Sequence, residues 1–234
     1  MFDSRAEHVF FGTILETCSC FASGLPAIVR AQDCVMRDDP KGVSDALVEI
    51  KTMLDKLIPI FHKISVNPVN AQYFVDPIEW GKTVATLHSP IDPEGNTPGA
   101  SGLYCPVFHV LDAFFERSAY STALGIEALH LRSWFPANWR KLIEAVADAR
   151  CSVRTYAMQL ETKRRHQQQR KLEEVMEKEE ERDLPPILAL YLSALESYAG
   201  ERGWMGTHRY KVFGFLELVF KAGRTVTNLS LIHI

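Results

Sequence analysis

The chain has no CxxC pair and no Cys/His spacing of the zinc-finger type, and its five cysteines, Cys18, Cys20, Cys34, Cys105 and Cys151, are odd in number. That usage argues against a structural zinc motif and a secreted disulfide framework, so a reducing, cytoplasmic setting is expected. Charge of one sign is scarce too. Lys plus Arg total 26 against 29 Asp plus Glu, a net charge of -3, with a pI near 6.2. No global field therefore draws the chain to nucleic acid or an anionic membrane. Apolar runs break at charged residues short of the roughly 20 positions a spanning helix needs, so no transmembrane segment is expected. The first residues, with Asp3, Arg5 and Glu7, lack the basic start and small-residue cleavage site of a signal peptide. GxSxG, P-loop, GxGxxG and His-Glu-x-x-His patterns are missing, which removes local support for hydrolase, NTPase, nicotinamide and zinc-protease chemistry. Long apolar/polar alternation rich in β-branched residues, the mark of a sheet, is missing as well.

What is present is helical periodicity. With 234 residues, 47% of them hydrophobic, the chain can bury a sizeable core, and the pattern predicts an all-α, multi-helix bundle forming one domain over 1–228. A first helix is expected over 5–22, ending at Gly24-Leu25-Pro26, where glycine and proline oppose continuation. Val43, Ala46, Leu47, Ile50, Met53, Leu54, Leu57, Ile58 and Phe61 form the apolar stripe of a second. A short helix follows Asp76-Pro77 through Trp80, Val84 and Leu87. Residues 89–102 hold too many prolines and glycines for regular structure, and a loop of that length is a binding element. Helices are then expected over 106–116 and 121–134, with a long one from Pro136. Residues 163–183 are almost wholly charged or Gln and read as a solvated helical extension. Two last helices span 187–200 and 207–222. Leu229-Ser230-Leu231-Ile232-His233-Ile234 has no cap, charge or turn logic and is expected to be a non-native tail, so His233 carries no functional weight.

The informative histidine is His208. Val212, Phe215 and Val219 follow it at three- or four-residue steps, placing the imidazole on an apolar helix face. Buried core histidines share that pattern. A proximal heme ligand also needs an apolar wall, with basic groups near the propionates, and Arg209, Lys211, Lys221 and Arg224 are nearby in sequence. His62, His88, His109, His130 and His166 are dispersed and read as structural or exposed.

Upstream, Phe61-His62-Lys63-Ile64, Val75-Asp76-Pro77, Gly99-Ala100-Ser101-Gly102, Leu111-Asp112-Ala113-Phe114-Phe115, Arg132-Ser133-Trp134-Phe135-Pro136, Trp139-Arg140 and Ser152-Val153-Arg154 occur in order. With the late histidine helix, this series resembles the heme-dependent indoleamine and tryptophan dioxygenase superfamily, in a divergent branch like its secondary-metabolism members. The resemblance implies the helical heme domain of indoleamine dioxygenase and a heme b cofactor whose iron is held by His208. Arg209, Val212, Phe215, Ser101 and Gly102 would contact that cofactor. Thr13, Ile14, Trp80, Ala100, Ser101, Thr225 and Thr227 would line the substrate pocket, with Phe10, Thr13 and Ile14 on the distal wall. Dioxygen would bind near Thr13 and Ser101, and an indole-like aromatic substrate would lie against Trp80. Ala85 stands where relatives that oxidise free tryptophan carry a carboxylate-clamping arginine, and Met205 stands three residues before the histidine where arginine is usual. Loss of a charge-assisted hydrogen bond, about 1.5–3 kcal/mol, points away from tryptophan itself. Two other classes remain open: a non-catalytic heme sensor or carrier, and a helical protein-interaction module without heme.

Overall fold

The computed structural model describes residues 3–88, 94, 99, 102–117, 123–174 and 186–221, and they fold as an all-α protein. Helix α1 (Arg5–Met36) begins at Ser4, whose Oγ accepts from the Glu7 amide at 3.2 Å. It packs along α2 (Pro40–Phe61), which is capped by Asp39 and started by Pro40 at a position where no amide is needed. Between them Asp38 takes a left-handed φ of 53°, and the Asp39 amide donates back to the Cys34 carbonyl at 2.9 Å, closing the end of α1. Tyr156 Oη donates to the Asp38 carboxylate at 2.8 Å and ties this turn to a later helix.

Residues 62–76 are knitted by a bridge between Ser65 and Phe74, the one extended pairing among the described residues. Asp76 then caps α3 (Pro77–Lys82) by accepting from the amides of Ile78 and Glu79, and a 3-10 turn covers Val84–His88. After another such turn, Gly102–Tyr104, come α4 (Pro106–Phe114), α5 (Ala123–Leu131), α6 (Ala137–Val146), α7 (Val153–Glu174), α8 (Ile187–Ala199) and α9 (Trp204–Lys221).

Two apolar clusters result. The larger gathers Leu47, Leu54, Leu57, Leu111, Phe115 and Tyr198 with their neighbours from α1, α2, α4, α6, α7 and α8. A smaller one joins Ala6, Trp80, Val84, Ala85, Phe215 and Val219, from the start of α1, the α3 region and α9. Phe61, at the last position of α2, packs against both.

Two helix boundaries differ most from expectation, beside shorter ends at Lys82, Phe114 and Leu131. Helix α1 does not stop near Ala22 but runs through Gly24 and Pro26. Phe21, Gly24, Ala27, Ile28 and Ala31 are buried on its face toward α2, and their burial outweighs the roughly 3 kcal/mol cost of an internal proline. The expected break also hid the helix's apolar length. As one 32-residue element, α1 contains a window of mean hydropathy 1.3 and is long and apolar enough to cross a membrane, with 33% of that window buried inside the protein. The long helix expected from Pro136 is instead two. It stops at Val146, and a 3-10 turn over Ala149–Cys151, opened by Asp148 accepting from the Arg150 amide at 2.9 Å, precedes α7. The charged segment is helical through Glu174.

Gly24 marks a close approach of α1 and α2, because a Cβ there would stand 2.7 Å from Met53 Cγ. Gly24→Leu is expected to destabilise the fold by about 1–3 kcal/mol through overpacking. Adding Met53→Ala should recover part of that loss. Urea unfolding of both variants is the check, and strictly additive losses would contradict this packing.

Candidate functional site

The site is built on α9, and the turn before it sets where α9 starts. A Cβ at Gly203 would collide with the Glu196 carbonyl oxygen, and one at Gly206 with that of Glu201, so only glycine permits this close return from α8. The turn brings Trp204 into the main core at 2% exposure, stacked 4.5 Å from Phe108. One helical turn later His208 falls on the same face.

The half-buried His208 ring lies 5.3 Å from Phe61, 6.1 Å from Phe108 and 6.5 Å from Trp204, centroid to centroid. Helices α2, α4 and α9 thus each supply an aromatic wall to one imidazole. Among the described residues it has no hydrogen-bond partner or counter-ion, and burial alone pushes its pKa down to about 4. A neutral imidazole with both ring nitrogens uncommitted can bind a metal or donate one hydrogen bond and accept another. His109 differs: its Nδ1 accepts from Arg132 Nε at 3.0 Å.

Further along the same face, Phe215 is buried 5.5 Å from Trp80, whose other neighbour is Phe10 at 6.0 Å. Val212 packs on this smaller cluster, and Ala85 is 1% exposed within it. The indole Nε1 atoms of Trp80 and Trp204 are both buried without an acceptor among the described residues. An unpaired buried donor carries a desolvation cost of about 1–3 kcal/mol, so each offers a bond to an incoming acceptor.

The remaining candidates scatter. Thr13 is buried, with its hydroxyl donating to the Val9 carbonyl at 2.8 Å, whereas Ile14 is exposed. Gly102 is exposed at the start of its 3-10 turn. Arg209 is exposed, with its guanidinium 5.7 Å from the Tyr210 ring. Lys211 Nζ donates to the Ile64 and His62 carbonyls, and Lys221 pairs with Glu217 at 2.6 Å. Ala100, Ser101, Arg224, Thr225 and Thr227 lie outside the described residues, as does the suspected tail. The motif arginines hold the scaffold together: Arg132 on His109, Arg140 on the Ser133 and Phe135 carbonyls, and Arg154 on Glu116.

Sequence reasoning missed three neighbours of His208. Trp204 was readable, because it precedes the histidine by four positions on one helix face. Phe61 and Phe108 reach it only through tertiary packing. Surface grooves among the described residues include one of about 430 Å³ beside Ile58, His62, Thr207 and Lys211 and one of about 130 Å³ beside Pro40, Leu160 and Ile187. Neither is lined by His208 or Trp80. No protein-family model, no curated protein and no solved structure matches the chain.

The depressed pKa makes stability depend on pH. The unfolded chain takes up a proton at the ordinary histidine value of 6.5, while the folded state resists it until about 4. Stability is therefore lost as pH falls from about 6.5 towards 4, and the loss levels off below that. Between about pH 7.5 and 5, wild type should lose roughly 2 kcal/mol more than His208→Gln in denaturant unfolding. Equal losses would mean that His208 titrates normally.

Proposed function

We propose that the chain is a heme-dependent oxygenase of the indoleamine and tryptophan dioxygenase type, acting on an indole-like aromatic substrate other than free tryptophan. The observation that carries the reading is the His208 imidazole: neutral, walled by three aromatic rings and without a hydrogen bond among the described residues. The donor set favours heme b over other metal centres. Among the described residues no three His, Cys, Asp or Glu side chains converge on a metal position, so a lone histidine suits an iron whose other donors come with a macrocycle. When bound, heme b supplies dioxygen binding and its electron chemistry.

The chain's own residues supply the rest. His208 would hold the iron, kept neutral by desolvation, with Phe61, Phe108 and Trp204 packed around its ring. Arg209, exposed and without an ion pair among the described residues, is the cation available to a propionate, whereas Lys211 and Lys221 are already engaged. Phe10, Trp80 and Phe215 provide the apolar, aromatic surface against which a planar ring stacks. Thr13 commits its hydroxyl proton to Val9, so it can accept from a ligand but not donate without breaking that bond. Buried Ala85 offers no charge to a substrate carboxylate, which supports a neutral indole over an amino acid.

A second reading, a heme sensor or carrier, is favoured by one observation: Phe10 and Phe215 already flank Trp80 and occupy the ring faces a substrate would need.

Purification with supplied heme separates the readings. Wild type is expected to show a Soret band that His208→Ala loses or shifts, and to consume oxygen with an indole derivative. A His208-dependent band without oxygen uptake from any indole would favour the carrier. Absence of a His208-dependent band would sink both.

A further inference from the structure

Cys18 and Cys105 stand apart from the other cysteines because their sulfurs face each other. Cys18, on α1, and Cys105, which precedes α4, have Sγ atoms 3.8 Å apart across 87 positions of chain. A disulfide is about 2.05 Å long, so closing the gap needs only a movement of under about 2 Å. Both residues are half-buried rather than sealed in the core. The remaining thiols are engaged elsewhere. Cys20 faces the Met53 carbonyl, Cys151 the Asp148 carbonyl and Cys34 the Asp39 carboxylate. Cys105 occupies the N-cap position of α4, where its sulfur makes no full capping hydrogen bond although the Val107 amide favours its thiolate.

We propose that Cys18 and Cys105 form an oxidative modification site, an intramolecular disulfide driven by peroxide that locks α1 to the start of α4. The Cys18 thiolate attacks one oxygen of hydrogen peroxide. The O–O bond breaks, leaving a sulfenic acid on Cys18 and releasing hydroxide, which becomes water. Cys105 then displaces the sulfenic oxygen, also released as water, and the S–S bond forms. Two thiols are oxidised by two electrons in total, and one peroxide is reduced to two waters. Burial and the Cys18 thiol push Cys105 up to about 12, so Cys105 gives up its proton only as it attacks the sulfenic sulfur, and that proton leaves with the sulfenic oxygen as water.

The bond would fix the helix that carries Phe10 and Thr13 to the segment just after the Gly102–Tyr104 turn. Chemistry at the sulfurs is independent of heme, so this inference and the oxygenase reading fail separately.

The test treats the full-length protein with a slight excess of hydrogen peroxide, then alkylates it and maps peptides without reduction. Free thiols should fall from five to three as the Cys18 and Cys105 peptides become linked. Dithiothreitol should restore all five, and the oxidised protein should melt roughly 5 °C higher. Cys18→Ser and Cys105→Ser should each abolish the link, whereas Cys151→Ser should retain it. Peptides that stay separately alkylated, each carry sulfinic acid, or join only between molecules would overturn the proposal. Wild-type peptide mapping decides it even where a serine variant folds poorly.

Discussion

The packing of Phe61 against His208 is the contact on which the rest of the arrangement depends. Phe61 ends α2, touches both apolar clusters and stands 5.3 Å from the imidazole. Through it, the tightly buried face of α2 is continuous with the wall that desolvates His208. A histidine without hydrogen bonds is costly to bury charged and inexpensive to bury neutral, so the aromatic surround itself selects the state that can ligate. Phe108 and Trp204 complete that surround from α4 and α9. The imidazole is thereby placed by three helices that meet nowhere near one another in sequence.

The two clusters divide the work. The larger one, centred on α2, holds the hairpin of α1 and α2 against α8. The smaller one seats Trp80 and Phe215 beside the beginning of α1. Helix α9 contributes to both, with Trp204 at one end and Val219 towards the other, and His208 lies between them. The glycines at 203 and 206 make this possible by letting α9 start against the carbonyls that close α8.

Much of the fold was legible because amphipathic spacing is a local property. The stripe from Val43 to Phe61 marks α2 closely, and the apolar face of His208, Val212, Phe215 and Val219 lies where periodicity puts it. The errors ran both ways, a breaker taken as decisive in α1 and a break overlooked between α6 and α7. Pro26 sits in a helix whose flanking turns are both buried, and tertiary packing overrides local propensity there. The Asp148 cap that divides α6 from α7 is a local cluster in which its carboxylate accepts from the Arg150 amide and guanidinium within an otherwise helical stretch. At the site, Trp204 was overlooked although i, i+4 spacing could have found it, whereas Phe61, Phe108 and the Cys18–Cys105 approach are long-range contacts with no local signature. The small-residue loop around Ser101 and the threonines at 225 and 227 lie outside the described residues, so their part in the site rests on the resemblance alone.

Iron ligation by the half-buried imidazole of His208 is the step on which the proposed function turns. The most direct measurement is the absorption and electron paramagnetic resonance spectrum of heme-loaded His208→Gly, recorded with and without added imidazole. The variant is expected to lose histidine ligation, and free imidazole, entering the space left by the side chain, to restore it. A wild-type spectrum from His208→Gly without imidazole would contradict the claim, because the iron would then be held elsewhere.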